Sequence, residues 1–329
     1  MDLDLVFLGT GGSVPTARRA TASLLVRRGG DRLLFDCGEG TQRQMHRSVG
    51  LVHLDEIYLT HFHADHYLGI PGLLKTYDLQ GREAPLRVYG PPGLNGLFDA
   101  IYRITGRTSY ELDLIELDAG HAVSHEAYEV VPYAVEHGTT AFGYAIVEEE
   151  RPGRFDPEAA ARLGISEGPE FGALQRGESV EVDGTPVDPA QVMGEARPGR
   201  KVVISGDTAV CESTRVAAYR AELLVHDGSF ADDELERAGE TGHATARQAA
   251  ELARDAEVAM LALVHISSRY NPREVLEQAR SELPTATAPR DFDLIEIPFA
   301  ERGEPTLIKN GAREPAGTLG PSGQPPDAR

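Results

Sequence analysis

The densest chemistry in the chain is the run His61-Phe62-His63-Ala64-Asp65-His66, with three imidazoles and one carboxylate in six residues. Neutral imidazole and carboxylate are the donors that suit zinc and similar divalent cations. In an extended segment, alternate side chains share a face, so His61 and His63 can meet one ion. Asp65 and His66, on the turn that follows, can meet a second. The competing reading is a solvated loop that is rich in histidine by chance. The apolar segment EIYLT (56–60) directly before the run argues against it. Two close cations need further donors and one group able to reach both. Asp207, in SGDT after a β-branched run, has two carboxylate oxygens for that purpose, and reads equally well as a helix cap. His137 in VEHG and His265 in VHISSRY are lone histidines at strand ends. Each taken alone is more often a satisfied structural histidine than a ligand.

The elements that must position these groups are legible from apolar patterning. Residues 3–8, 21–28 and 32–36 read as successive short strands with Gly-rich turns, followed by a helix over 41–48. The segment 56–60 reads as a buried strand that delivers the histidine run, and LGIPGLLKTYDLQ then passes from loop to helix. Further strands are predicted at 87–90, 114–117, 128–137 and 142–148, with a helix near 94–104. KVVISGD (201–207), ELLVHD (222–227) and VAMLALVH (258–265) read as buried strands that end on polar residues, and ATARQAAELARDA as a helix. In open α/β sheets ligands gather at strand ends, so Thr60-His61, Asp207, Asp227 and His265 would converge on one rim. The stretch 151–198, rich in Gly, Pro, Glu and Asp, reads as an insertion protruding from a single domain over 1–310. From about 311 the composition predicts a disordered tail.

Composition narrows the function classes. The chain has 329 residues and 32 Lys+Arg against 52 Asp+Glu, a net charge of −20. That charge argues against a generic nucleic-acid coat while leaving room for a local basic site. Lys75, Lys201 and Lys309 are the only lysines. The arginine bias suits bidentate phosphate contacts, or reflects codon usage alone. Cys37 and Cys211 cannot make a disulfide scaffold, and no run is long enough to span a membrane. MDLDLVFLGTGG has neither a basic leader nor a cleavage site, so a reducing cytoplasm is the expected compartment.

The joint pattern resembles the metallo-β-lactamase superfamily and, within it, the ribonuclease Z family of tRNA 3′-endonucleases. HFHADH carries the superfamily likeness. FDCGEGTQRQ (35–44), LGIPGLLKTYDLQGR (68–82), GYAI (143–146), SGDT (205–208), GHATARQAA (242–250) and ISSRY (266–270) carry the finer one. The resemblance implies an α/β fold, the αββα sandwich, with a protruding flexible arm. It implies two zinc ions per subunit, one held by His61, His63 and His137, the other by Asp65, His66 and His265, with Asp207 bridging. Asp36 looks like the buried acid that orients the motif loop; the alternative is a turn former before Gly38.

Two zinc ions about 3.5–4 Å apart can bring a shared water to a pKa near 7 and clamp an in-line phosphoryl displacement. Asp65 is the implied proton acceptor. His243, paired with Asp227, is the candidate general acid for the leaving ribose oxygen; its alternative is a mere helix cap. The implied reaction removes the 3′ trailer of precursor tRNA and leaves a 3′-hydroxyl. Family likeness also implies a homodimer. Its arm, here carrying Gly168-Pro169, would grip tRNA, and Arg19 would touch substrate. The sequence departs from the family at three places. Pro-x-Lys-x-Arg-Asn is here Pro15-Thr16-Ala17-Arg18-Arg19-Ala20; His-Glu-Ala-Thr is His226-Asp227-Gly228-Ser229; His-Ser-Thr is His243-Ala244-Thr245. The shorter Asp227 must therefore reach His243 with one methylene less. Two other readings remain: a dizinc hydrolase of small diesters or other esters, and a non-catalytic RNA-binding subunit. The second conflicts with the intact set of seven ligand positions.

Overall fold

A computed structural model of the chain describes residues 1–311; the predicted tail beyond lies outside the described residues. Two sheets pack face to face. The first has eight strands in the order Thr306–Ile308, Leu294–Glu296, Leu3–Gly9, Ser23–Arg28, Asp31–Phe35, Glu56–Tyr58, Leu86–Gly90, Leu112–Glu116. The second has six, in the order Met260–Val264, Leu223–Asp227, Lys201–Ile204, Phe142–Glu148, Tyr128–Ala134, Val123–His125. Alternation sorts the side chains of each strand. Leu5, Phe7, Phe35, Tyr58, Tyr144 and Val225 fill the space between the sheets. Val6, Leu8, Leu34 and Ile57 face outward and are covered by the helices Thr41–His46, Ile70–Leu79 and Leu94–Thr105. On the other side Val203, Leu224 and Leu261 meet the helices Ala246–Asp255 and Pro272–Glu282. The result is a four-layer αββα sandwich, with both sheets buried on both faces over most of their width.

Strand direction decides where the chemistry goes. Asp31–Phe35, Glu56–Tyr58 and Leu86–Gly90 run parallel in one sheet, as do Lys201–Ile204, Leu223–Asp227 and Met260–Val264 in the other. Asp36, His61, Asp207, Asp227 and His265 therefore all emerge at the carboxyl ends of their strands.

Some elements differ from the sequence expectation. Pro272–Glu282 is a helix on which only Val275 and Ala279 are buried, too sparse an apolar stripe to stand out in a charged segment. The stretch 151–198 is more ordered than its composition suggests. Asp156 caps the helix Pro157–Arg162, a second helix spans Pro169–Gln175, and a hairpin joins Val180–Val182 to Thr185–Val187. The Asp183-Gly184 turn of that hairpin has both φ angles positive, 49° and 79°, the geometry Asp-Gly favours. These pieces share a small core of Ala159, Ala160, Ile165, Leu174, Val187 and Val192. At the root, Arg151 and Arg197 exchange backbone hydrogen bonds and both donate to Glu301 at 2.9 Å. Arg151 also lies 3.4 Å over the Phe299 ring. The insertion is thus a folded unit tied to the body by ion pairs and a cation–π contact.

Candidate metal centre

The strand Glu56–Tyr58 ends one turn before the histidine run, and Asp36 fastens that junction. Asp36 Oδ1 accepts from the Thr60 amide at 2.8 Å, and Oδ2 accepts from His66 Nδ1 at 2.7 Å. Asp36 sits at φ 57° and His265 at φ 59°, left-handed conformations that cost a non-glycine residue energy and cluster at functional sites. Glycine makes room nearby. A Cβ on Gly206, itself at φ +63°, would sit 2.9 Å from Thr60 Cβ, and one on Gly12 would sit 2.6 Å from the His265 carbonyl oxygen.

Two donor groups result. Ligand atoms of His61, His63 and His137 lie within 4.8 Å of one another, and so do those of Asp65, His66, Asp207 and His265. Asp207 Oδ2 faces both, at 3.3 Å from His66 Nε2, 3.2 Å from His265 Nε2 and 4.0 Å from His61 Nε2. His61 Nε2 and His137 Nε2 approach His63 Nδ1 at 3.0 and 3.1 Å.

The outer nitrogens of these rings establish what the inner ones can do. His137 Nδ1 must donate to the Gly242 carbonyl at 2.8 Å, and His66 Nδ1 to Asp36. The Thr60 hydroxyl gives its proton to Asp36, so it accepts from His61 Nδ1 at 3.0 Å. The Ser229 hydroxyl gives its proton to Asp227 at 2.6 Å, so it accepts from His265 Nδ1 at 2.8 Å. A neutral imidazole carries one proton. In its neutral form each of these four rings therefore turns a bare Nε2 lone pair inward. Fixing the tautomer from behind in this way is how ligating histidines are held. His66 Nε2 is fully buried with no hydrogen-bond partner. An orphaned nitrogen among lone pairs and carboxylates is costly unless a cation joins them. The donors present fit two divalent ions of the zinc class.

The electrostatics agree. Burial works against charge on His66, yet Asp207 and Asp36 raise its pKa well above the ordinary value. Burial likewise opposes ionisation of Asp207, and His265 and His66 hold it well below the usual carboxylate range. His61 is pushed down to about 2 by burial and by His66, against the pull of Asp207. The pocket favours positive charge at the shared carboxylates and a neutral donor at His61.

His243 and Asp227 sit on the rim. Despite its shorter side chain, Asp227 reaches His243: Nδ1 donates to Oδ2 at 2.6 Å. Asp227 is fully buried and also accepts from the Ser229 amide at 2.8 Å and the Thr208 amide at 3.2 Å. The His243 ring stacks on His265 at 5.2 Å and meets His137 edge-on at 5.0 Å. Burial disfavours the imidazolium, but Asp227 raises the His243 pKa to about 9. Arg19 lies apart from the donors; its Nη1 donates to Thr10 Oγ1 at 2.5 Å and to the Pro289 carbonyl at 2.9 Å. Gly168 and Pro169 are exposed on the insertion, at the start of its second helix.

Sequence reasoning passed over four groups. Ser229 links His265 to Asp227, Thr60 links His61 to Asp36, the Gly242 carbonyl holds His137, and the Ser13 amide donates to Asp65 Oδ2 at 2.9 Å. Serine, threonine and backbone groups carry no distinctive sequence signal for such roles.

Comparison with known proteins places this geometry. The profile of the metallo-beta-lactamase superfamily matches residues 16–265. Ribonuclease Z of Haloferax volcanii is 48% identical over 307 residues, covering 92% of this chain and 97% of that protein. Ribonuclease Z of Gemmatimonas aurantiaca is 47% identical, covering 92% and 98%. The crystal structure of the short form of human tRNase Z superposes with a TM-score of 0.65 at 25% identity, covering 90% of this chain and 99% of that one. The metallo-beta-lactamase fold protein YhfI of Bacillus subtilis has a TM-score of 0.66 at 17% identity and shares the fold, covering 90% and 100%. The chain belongs to the ribonuclease Z family of the metallo-beta-lactamase superfamily.

Proposed function

We propose that this chain is a zinc-dependent endoribonuclease that cuts precursor tRNA at its 3′ end, frees the trailer and leaves a 3′-hydroxyl on the tRNA. The reading is carried by one arrangement: two inward-facing donor sets that share Asp207, with a carboxylate-backed imidazole on their rim. His61, His63 and His137 would hold one ion and Asp65, His66 and His265 the other. Such a pair supplies a nucleophilic water near neutral pH and charge stabilisation at phosphate oxygens.

The remaining work belongs to the chain. Asp36, Thr60, Ser229 and Gly242 keep the ligand rings oriented, so little reorganisation is needed at the moment of reaction. Asp65 is held ionised: burial opposes it, but the His265 and His66 rings beside it keep its pKa low, and the Ser13 amide donates to its Oδ2 at 2.9 Å. It serves as ligand and as the acceptor for the attacking water's proton. His243, with Nδ1 committed to Asp227, has Nε2 free to protonate the leaving 3′-oxygen.

Gly168-Pro169 and the rest of the 151–198 unit grip the tRNA body. The unit has mixed charge, so backbone and shape contacts to duplex RNA supply the grip. Two copies act together as a homodimer in the cytoplasm, where tRNA matures. No described helix is long and apolar enough to cross a membrane.

The direct test is to incubate the protein with a 3′-extended precursor tRNA, with and without chelator, and map the ends. Cleavage is expected only with metal, giving a 3′-hydroxyl on the tRNA and a 5′-phosphate on the trailer. A 2′,3′-cyclic phosphate end would rule out attack by water. Deleting 151–198 separates grip from chemistry. Metal content and hydrolysis of a small chromogenic phosphodiester should persist, while precursor cleavage should fall by about a hundredfold or more, as when remote binding energy is lost. Unchanged precursor cleavage would end the role assigned to that unit.

A further inference from the structure

A cleft of about 1390 Å³ opens between the 15–20 loop, the helices Thr41–His46 and Pro272–Glu282, and the segment 287–293. Its charge is opposite to that of the molecule. Over the whole chain 32 basic residues face 52 acidic ones, whereas the cleft is lined by eight basic and four acidic residues. Two of those acids are already engaged: Asp291 accepts from Thr10, Ala20 and Gln44, and Asp293 from the amides of Arg290 and Asn310. Arg19, Arg47 and Arg280 are engaged too, holding Thr10, Gln44 and the Ala286 carbonyl. Arg18, Arg43, Arg273, Arg290 and Lys309 are exposed, and their side chains make no hydrogen bond or ion pair among the described residues. Unpaired cations gathered in one concavity of an acidic protein focus a positive potential there and suit a partner with closely spaced phosphates.

The chain links the cleft wall to one side of the metal centre. His243 stacks on His265, His265 Nε2 lies 3.2 Å from Asp65 Oδ2, and that same oxygen accepts from the Ser13 amide at 2.9 Å. Two residues beyond Ser13 the chain becomes the cleft wall. His243 marks the end where the 3′-oxygen of the tRNA departs. The strand that continues from the cut phosphate must leave elsewhere, and the basic cleft begins at the opposite end of this line of residues.

We propose that the cleft is the path of the 3′ trailer, a short single-stranded RNA whose phosphates are held by Arg18, Arg43, Arg273, Arg290 and Lys309. This inference rests on the precursor-tRNA reading above. The test uses two precursors with the same tRNA body, one ending in a single extra nucleotide and one in a trailer long enough to cross the cleft. Two double variants are compared with the natural chain: Arg273→Ser with Arg290→Ser, and Arg43→Ser with Lys309→Ser. For the long trailer KM should rise about tenfold, and its log–log salt slope should become shallower by about 1.4, from two lost phosphate contacts at about 0.7 each. The single-nucleotide precursor should be cut as before, which also shows that the variants fold. An equal loss on both precursors would assign the cleft to the tRNA body and overturn the proposal, and no loss on either would show that the cleft holds no RNA. If the natural chain cuts neither precursor, the precursor-tRNA reading itself fails.

Discussion

Asp207→Ala is expected to abolish metal binding and catalysis together. Asp207 Oδ2 lies within 4.0 Å of inward-facing nitrogens from both donor sets, so its loss removes the one group that both ions would share. It also leaves His66 Nε2 buried without the carboxylate beside it. The expected fall in kcat/KM is about 10⁴-fold or more, about 5 kcal/mol of barrier. Elemental analysis of the purified variant should find metal well below that of the natural chain. Circular dichroism should stay native, because Val203, Leu224 and Tyr144 around the strand are untouched. A variant with full metal content and near-normal turnover would refute the bridging role.

The second large effect separates proton transfer from metal binding. His243→Ala should lower kcat on precursor tRNA by about 10²–10³-fold, the scale of a lost general acid, at unchanged metal content. The loss should nearly vanish on a nitrophenyl phosphodiester, whose leaving group needs no proton. Equal losses on both substrates would mean that His243 merely shapes the site. The pH profile gives an independent reading. With its pKa raised to about 9, His243 is protonated at neutral pH, so the acid is present below that value. Turnover should then fall as pH rises through the His243 pKa. Asp227→Asn removes the chief cause of the elevation, so the alkaline limb should move to lower pH. Both proteins are compared metal-loaded, so the influence of the cations is common to them. A limb that stays in place would detach His243 from it.

The short acid at Asp227 shows how the fold absorbs a sequence departure. One methylene shorter than the Glu that the family resemblance implies, Asp227 still reaches His243 with a 2.6 Å hydrogen bond. Ser229, two residues on, fills the space beside it and ties Asp227 to His265. That compensation is invisible in the sequence, because the serine matters only once Asp227 and His265 stand on neighbouring strands.

What the sequence determines by itself is local. The HFHADH run, the apolar strands that end in His or Asp, and the Ala-rich helix ATARQAAELARDA are all readable from residue type and period, because patterning and propensity act over a few residues. The insertion's own hairpin and core are not legible in this way: its apolar residues are small and scattered, and only folding shows that they meet. Tertiary structure alone decided which lone histidines count. His137 and His265 join the donor groups because the strands before them end on the same edge as the histidine run, bringing His137 to 3.1 Å from His63, 74 positions away, and His265 to 3.2 Å from Asp65, 200 positions away. It also decided which arginines are free. Arg19 is committed to Thr10 and Pro289, while Arg273 and Arg290, unremarkable in sequence, stand unpaired in a basic cleft. Ligand geometry and electrostatic focusing depend on distances through space, and a chain reports those only after its strands have been laid side by side.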